Sequence, residues 1–252
     1  MKINRFVLLL VLVLIILFIL RFFVKDDTNA LNNPPVLYNL GVEFGKYNPE
    51  TGYAGDFRFE ASKAYANKMF FEFGAVFPYA RRGELVVHYI YNLPSGTPIQ
   101  AMTNGNVTTL REQKESSDYE LLIIPDGAPD WRLGYDHIVN PKFNKGERVN
   151  AGDIVGEVPF ESGTDRVGFS TTEITVFTEG YSDEAINNFC PYIFLENSVK
   201  KEYETKIYEL VKDWEIYVDD ANIYNEENWV LPGCLYEKLN EAAALRGEKP
   251  SK

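Results

Sequence analysis

Between Glu84 and Phe177, apolar and polar positions alternate with a period near two in a series of short runs: ELVVHYIY, PIQAMT, NVTTL, YELLII, WRLGYDHIV, DIVGEV and TTEITVF. β-Branched and aromatic residues dominate these runs, and Ser-Gly, Asn-Gly, Asp-Gly and Lys-Gly pairs separate them, as expected of half-buried strands joined by turns. No interval is long enough for a helical crossover between parallel strands, so the pattern predicts an all-β core. Asn104-Gly105, between PIQAMT and NVTTL, predicts a hairpin. Upstream, from Val36 to Phe77, aromatics and glycines mixed with polar residues predict short strands and turns. The segment NPETGYAGD reads as a turn, because its acidic residues miss the spacing of a twelve-residue calcium loop.

The period changes after Ser182. In SVKKEYETKIYELVKDW, Tyr203, Ile207, Leu210 and Trp214 recur at helical spacing and predict a helix with one buried stripe. SDEAINNFC, with Ser182 and Asp183 as candidate caps, and CLYEKLNEAAALRG, ending near Gly247, predict further helices. The pattern therefore divides the chain into a β domain over 36–181, with its regular core at 84–177, and a helical extension over 182–252.

The N-terminus follows neither period. Phe6 to Leu20 are fifteen consecutive apolar residues, flanked by Lys2 and Arg5 on one side and by Arg21 and Lys25 on the other. Carried through Val24 the stretch reaches nineteen residues, with Arg21 able to snorkel, and that length spans a bilayer. A cleaved signal peptide shares a basic start and apolar run, but the one cleavage-like site, Thr28-Asn29-Ala30, is separated from the run by Lys25-Asp26-Asp27. Residues 1–25 thus read as an uncleaved single-pass anchor and 26–35, which end in a proline pair, as a linker. The flanking basic residues nearly balance, so they do not orient the span; an extracytoplasmic body is the expectation.

Charge narrows the partners. The chain carries a formal −12, which becomes −16 for residues 26–252 once the four basic residues of the anchor are set aside. An acidic body without a Lys/Arg-rich patch repels phosphate backbones, which excludes nucleic acid. With the body outside the cytoplasm, the two cysteines, Cys190 and Cys234, are expected to form one disulfide that ties the Phe189–Leu195 segment to the last helix; two buried thiols are the alternative.

The candidate chemistry starts at the two histidines. His88 is followed by Asn92, then Gly96-Thr97-Pro98-Ile99, Ala101 and Gly105-Asn106-Val107. Tyr135-Asp136-His137-Ile138 comes next, then Gly146, Val149, Gly152, Val155 and Gly156, and finally Thr171-Thr172-Glu173-Ile174-Thr175-Val176. In this order the residues resemble the lysostaphin-type zinc endopeptidases, which cleave peptidoglycan. That family's pattern runs H-x-x-x-D, a Gly-Thr-Pro-Val-like turn, an aromatic-x-His-Leu segment, G-x-x-V-x-x-G-x-x-I-G and a closing His-x-His. The resemblance implies a barrel-sandwich hybrid fold, of the lipoyl-like duplicated hybrid motif type, for the β domain.

The same resemblance implies a zinc held by the first His, the Asp four residues on and the last His of His-x-His. Here those positions are His88, Asn92 and Glu173. A neutral amide is a poor zinc ligand, and Glu173 replaces an imidazole, so His88 and Glu173 are the metal candidates and His88, Asn92 and Glu173 the groove residues. The family's catalytic histidines map onto His137, which keeps its role, and Thr171, which cannot take the other. No Gly-x-Ser-x-Gly elbow, phosphate loop, His-Glu-x-x-His helix or carrier-type lysine hairpin offers another chemistry. The expectation is a membrane-anchored pseudoenzyme without a cofactor, binding cell-wall glycan or peptide or an envelope protein. The rival is a metal-dependent endopeptidase or other hydrolase with an altered ligand set, using zinc. An extracytoplasmic adaptor would need long helical hairpins inserted in the β core, and none is encoded.

Overall fold

Strand pairing explains most of the architecture. The computed structural model describes residues 33–78, 83–160, 168–178 and 186–249. Among them are fourteen strands: β1 (Phe44–Asn48), β2 (Tyr53–Gly55), β3 (Phe57–Arg58), β4 (Phe70–Phe71), β5 (Tyr89–Pro94), β6 (Pro98–Gln100), β7 (Gly105–Gln113), β8 (Asp118–Pro125), β9 (Trp131–Ile138), β10 (Arg148–Val149), β11 (Ile154–Glu157), β12 (Phe169–Thr178), β13 (Asn187–Phe189) and β14 (Lys238–Asn240). Two α-helices follow late in the chain, α1 (Asn197–Val218) and α2 (Glu241–Leu245). The protein is mainly β, and the described strands form sheets of nine, three and two strands that do not close into a barrel. The anchor expected over Phe6–Val24 lies outside the described residues, as does most of the linker; no described helix is long and apolar enough to cross a membrane.

The large sheet runs β10-β7-β8-β9-β12-β13-β14, with β5 also on β12 and β4 on β5. Strand β12 is shared: along one edge it pairs with β9, and along the other its first six residues pair with β5 and its last three with β13. Alternation then sends Trp131, Leu133, Tyr135, Leu121, Ile123, Ile174, Val176, Tyr89 and Tyr91 into one core. Two tyrosines in that core find polar partners, as buried hydroxyls must. Tyr91 Oη donates to the Leu40 carbonyl at 2.9 Å, and Tyr135 Oη accepts from Met102 N at 2.7 Å.

Three local expectations change. Asn104-Gly105 does not close a hairpin: β6 pairs with β11, and β7 with β8 and β10. The reason is close approach. A Cβ at Gly105 would stand 2.3 Å from the Ile124 carbonyl oxygen, so this glycine lets two strands touch and is not spent on a turn; the Asn104 side chain accepts from Ala151 N at 2.9 Å. The hairpin turn lies instead between β7 and β8, where Ser117 takes a left-handed φ of 60°.

In SDEAINNFC, Ser182 and Asp183 lie outside the described residues, and Asn187–Phe189 is a strand because β12 leaves an edge there to be paired. In CLYEKLNEAAALRG only Glu241–Leu245 is helical; Lys238–Asn240 pairs with β13 first, and the Asn240 side chain then caps α2 by accepting from Ala243 N at 3.2 Å.

The expected stripe of α1 is buried: Tyr203, Ile207, Leu210 and Trp214, with Val211. Glu196 caps its start by accepting from Ser198 N at 2.7 Å. The helix packs on β1, where the Tyr203 ring meets Phe44 edge-on, and Trp214 Nε1 donates to the Asn67 carbonyl at 2.8 Å. A disulfide between Cys190 and Cys234, with Cα atoms 6.1 Å apart, joins the chain before α1 to the segment after it, beside the Tyr89 hydroxyl.

That bridge closes 44 residues of sequence separation, and chain-entropy arguments assign a loop of such length about 2–4 kcal/mol. The Cys190→Ser/Cys234→Ser double variant should therefore unfold at lower denaturant, with that loss in free energy. A change below about 1 kcal/mol would show that packing alone holds the helical arm.

Candidate functional site

The site lies on the outward face of β8, β9, β12 and β5. On β12 the residues pointing away from the core include Thr171, Glu173 and Thr175, and register places Glu173 opposite Asp136 of β9 on one side and opposite Ile90 of β5 on the other. Next along the sheet, Gly134 keeps this face flat: a Cβ there would come within 2.7 Å of Thr175 Cγ2.

Strand β9 is not regular. Tyr119 pairs with Ile138 and Leu121 with Tyr135, so two residues of β9, Asp136 and His137, stand opposite the single residue Glu120. This is a β-bulge, and His137 holds it with φ at 54°, in the left-handed region. Tyr135 and Ile138 on either side remain fully buried. In a regular strand consecutive side chains point to opposite faces; the bulge puts Asp136 and His137 on the same one.

Every charged group on this face has a neighbour. His137 Nδ1 lies 2.7 Å from Oδ2 of Asp118, a buried carboxylate at the start of β8. Asp136 Oδ1 accepts from His137 N at 2.8 Å and from the Gln113 side-chain amide in a short contact. His88 Nε2 sits 3.1 Å from Glu173 Oε2, and Arg111 pairs with Glu120 at 3.0 Å. Burial alone would push the His137 imidazole down, but the Asp118 hydrogen bond and the Asp136, Glu173 and Asp118 charges outweigh it, so His137 is held above its ordinary value and favours the imidazolium. Glu120 is raised, first by burial and further by Asp136, against the opposing pull of Arg111.

The candidate residues separate in this geometry. His88, Glu173 and His137 share the face, with Glu173 between the two histidines. Asn92 is only 1 % exposed, and its Nδ2 donates to the Lys68 carbonyl at 2.7 Å and to the Tyr65 carbonyl at 3.4 Å. It fastens the segment before β4 to β5. That segment is further fixed by Tyr224 Oη, which accepts from Met69 N at 2.8 Å, and by the Trp214–Asn67 bond. Tyr65, Phe71 and Phe77 cover Ile90 beside it. Thr171 lines a cleft of about 310 Å³ together with Ser116, Asp118, His137, Phe160 and Ser170.

Asp118, Gln113, Glu120 and Arg111 were not marked by motif. Their place depends on the β7–β8 hairpin and on the bulge; only Asp118, an acid directly after a Ser-Ser turn, carried a local signal.

Asp136, His137 and Glu173 offer donor atoms that all lie within 4.8 Å of one another. The zinc set implied by the sequence resemblance fits less well. His88 and Glu173 approach closely enough to share an ion, but the third position is an amide whose nitrogen is committed to backbone carbonyls, and no carboxylate stands there. Residues 89–176 match peptidase family M23. The matched segment contains Asn92, Asp136, His137 and Glu173, with His88 one residue before it. Solved structures similar to the chain include lysostaphin in solution, at 17% identity over 51% of this chain and 49% of that one, with a TM-score of 0.39. The catalytic domain of lysostaphin from Staphylococcus simulans matches at 18% identity over 49% of this chain and 90% of that one, with a TM-score of 0.37. LytU matches at 24% over 45% and 76%, with a TM-score of 0.37. The chain thus spans about half the length of full lysostaphin. No curated protein matches the sequence.

Because Asn92 donates into carbonyls, Asn92→Asp should not create a ligand but place a carboxylate against two acceptors. The expected cost is roughly 2–4 kcal/mol near neutral pH. Such an Asp has its folded pKa raised, so the deficit relative to wild type should shrink as pH falls and the protonated acid regains a donor. Parallel denaturant titrations at pH 7 and pH 4.5 check this, and a deficit independent of pH would show that the carbonyl contacts are not the cause.

Proposed function

We propose that this chain is a membrane-anchored, extracytoplasmic module in which an M23 domain, built as a barrel-sandwich hybrid, keeps its groove for binding and has lost zinc-dependent hydrolysis. Its partner is cell-wall glycan or peptide, or an envelope protein that meets the same groove. The observation that carries this reading is Asn92: at the position where the family pattern has a ligating Asp, the side chain is buried and holds a neighbouring segment in place. Thr171, at the position of a family histidine, cannot accept or deliver a proton near neutral pH. Two of five family positions are thereby filled by residues that neither bind zinc well nor act as bases.

The second reading, a hydrolase with an altered ligand set around His88, Glu173 and His137, is favoured by the Asp118–His137 pair. A buried carboxylate on Nδ1 fixes the imidazole and would make it a positioned base for water.

The full-length protein in detergent, incubated with labelled peptidoglycan sacculi, separates the two. The expected result is sedimentation with the sacculi and no release of soluble fragments, with or without zinc. Fragment release that a chelator stops and that His137→Ala abolishes would establish the hydrolase instead.

A further inference from the structure

The geometry points to a divalent-cation site displaced by one strand from the position the family pattern implies, formed by Asp136, His137 and Glu173 on β9 and β12 in place of His88, Asn92 and Glu173 on β5 and β12. It stands apart from both readings above, since a bound cation could serve either a groove that only binds or one that cleaves.

Three features of the chain carry it. The first is proximity. The three donor groups already lie within 4.8 Å of one another, and four-coordinate zinc with N and O ligands near 2.0–2.2 Å needs donors roughly 3.3 Å apart. About 1.5 Å at most remains to be closed, within the reach of small side-chain rotations at the three residues.

The second feature is that each of the three has a partner on the atom it does not need. Asp118 holds His137 Nδ1 at 2.7 Å, so the ring nitrogen left for an ion is Nε2. Gln113 and the His137 backbone N–H hold Asp136 Oδ1, which leaves Oδ2. His88 holds Glu173 Oε2 at 3.1 Å, which leaves Oε1. Ligating side chains in metal sites are oriented in this way by an outer layer of hydrogen bonds, and a carboxylate on the far nitrogen of a ligating histidine is a recurrent form of it. In this arrangement His88, a ligand in the family pattern, becomes an orienting group.

The third is the mismatch at the original position. Asn92 is withdrawn under the segment that precedes β4, while the bulge turns both Asp136 and His137 outward, so the sheet lost a donor on β5 and presents two on β9. One imidazole with two carboxylates suits zinc, manganese or cobalt and is a poor match for calcium, which takes six to eight oxygens. The adjoining cleft, which His137 also lines, gives an ion and a further ligand access from solvent.

The chain has only two histidines, which makes the test direct. The chelator-stripped, tag-free full-length protein in detergent is titrated with zinc by calorimetry, and its two imidazoles are followed by 15N NMR, assigned with His88→Ala. The inference expects one equivalent of zinc, a large shift of the His137 Nε2 resonance and a small one at His88. His137→Ala, Asp136→Asn and Glu173→Gln should each weaken binding tenfold or more, with Glu173→Gln keeping the wild-type unfolding midpoint as the control for folding. Two results would overturn it: no binding tighter than millimolar, or zinc shifting His88 alone with His137→Ala leaving affinity unchanged, which would return the ion to the family position. Cleavage of sacculi bears on the function proposed above and not on this outcome.

Discussion

Strand β12 exchanges hydrogen bonds with β9 along one edge and, along the other, with β5 for its first half and β13 for its last three residues. Glu173 sits where the β5 and β9 pairings overlap, with His88 on one side and His137 on the other. The last three residues of β12 carry β13 and β14, from which the C-terminal arm returns to cover β4 and β5. A one-residue slip of β12 would turn Glu173 into the core and Ile174 outward. The buried run Ile174 and Val176 prevents it, at roughly 1.5–3 kcal/mol for each side chain that would be exposed. Packing on the hidden face thus fixes the chemistry on the visible one.

The C-terminal arm also decides what happens at β5. The Trp214–Asn67 and Tyr224–Met69 bonds hold the segment before β4, and Asn92 bonds the same segment from below. Consecutive left-handed residues Ala66 and Asn67 show that the segment is bent into place against its own preference. Three hydrogen bonds at about 1 kcal/mol each, together with the burial of Phe70 and Phe71, outweigh that strain. Asn92 is thus tied to a segment that the arm itself fixes, and the disulfide joins the Cys234 side of that arm to Cys190.

Much of this was legible from alternation alone. Trp131, Leu133 and Tyr135 announce β9 as inward residues, and Tyr203, Ile207, Leu210 and Trp214 announce α1, because burial imposes a period that single residues obey. The ordered histidine, glycine and valine positions announced the segment that matches peptidase family M23. What escaped depends on partners distant in sequence. The Asn104-Gly105 pair looks like a turn, yet Gly105 is used for contact with Ile124, and no local feature distinguishes the two uses. Lys238–Asn240 is intrinsically compatible with helix and becomes strand because β13 offers an edge. The bulge is invisible for the same reason: Asp136 and His137 alternate normally in sequence, and only the pairing with Glu120 shows that both face outward.

Charge balance gives the bulge its significance. Asp136 and Glu173 present carboxylate oxygens within 4.8 Å of each other, a repulsion of about 1 kcal/mol in water and about 3.5 kcal/mol at the effective dielectric of a partly buried site. Asp118 and Glu120 add to the same field, and the rise in Glu120 records part of it. Arg111 answers Glu120, His88 answers Glu173 and His137 answers Asp118, while among the described residues Asp136 accepts hydrogen bonds from a neutral amide and a backbone N–H and shares the His137 charge with Asp118 and Glu173. Asn in place of Asp136 would keep an acceptor for the two hydrogen bonds and remove both the repulsion from Glu173 and the attraction to His137. The left-handed turn at His137 adds a second cost to the same pair of residues. Two separate penalties spent on bringing one carboxylate and one imidazole to the same point are consistent with a positive charge arriving there, and are hard to explain as the by-product of a sheet that only needs to pack.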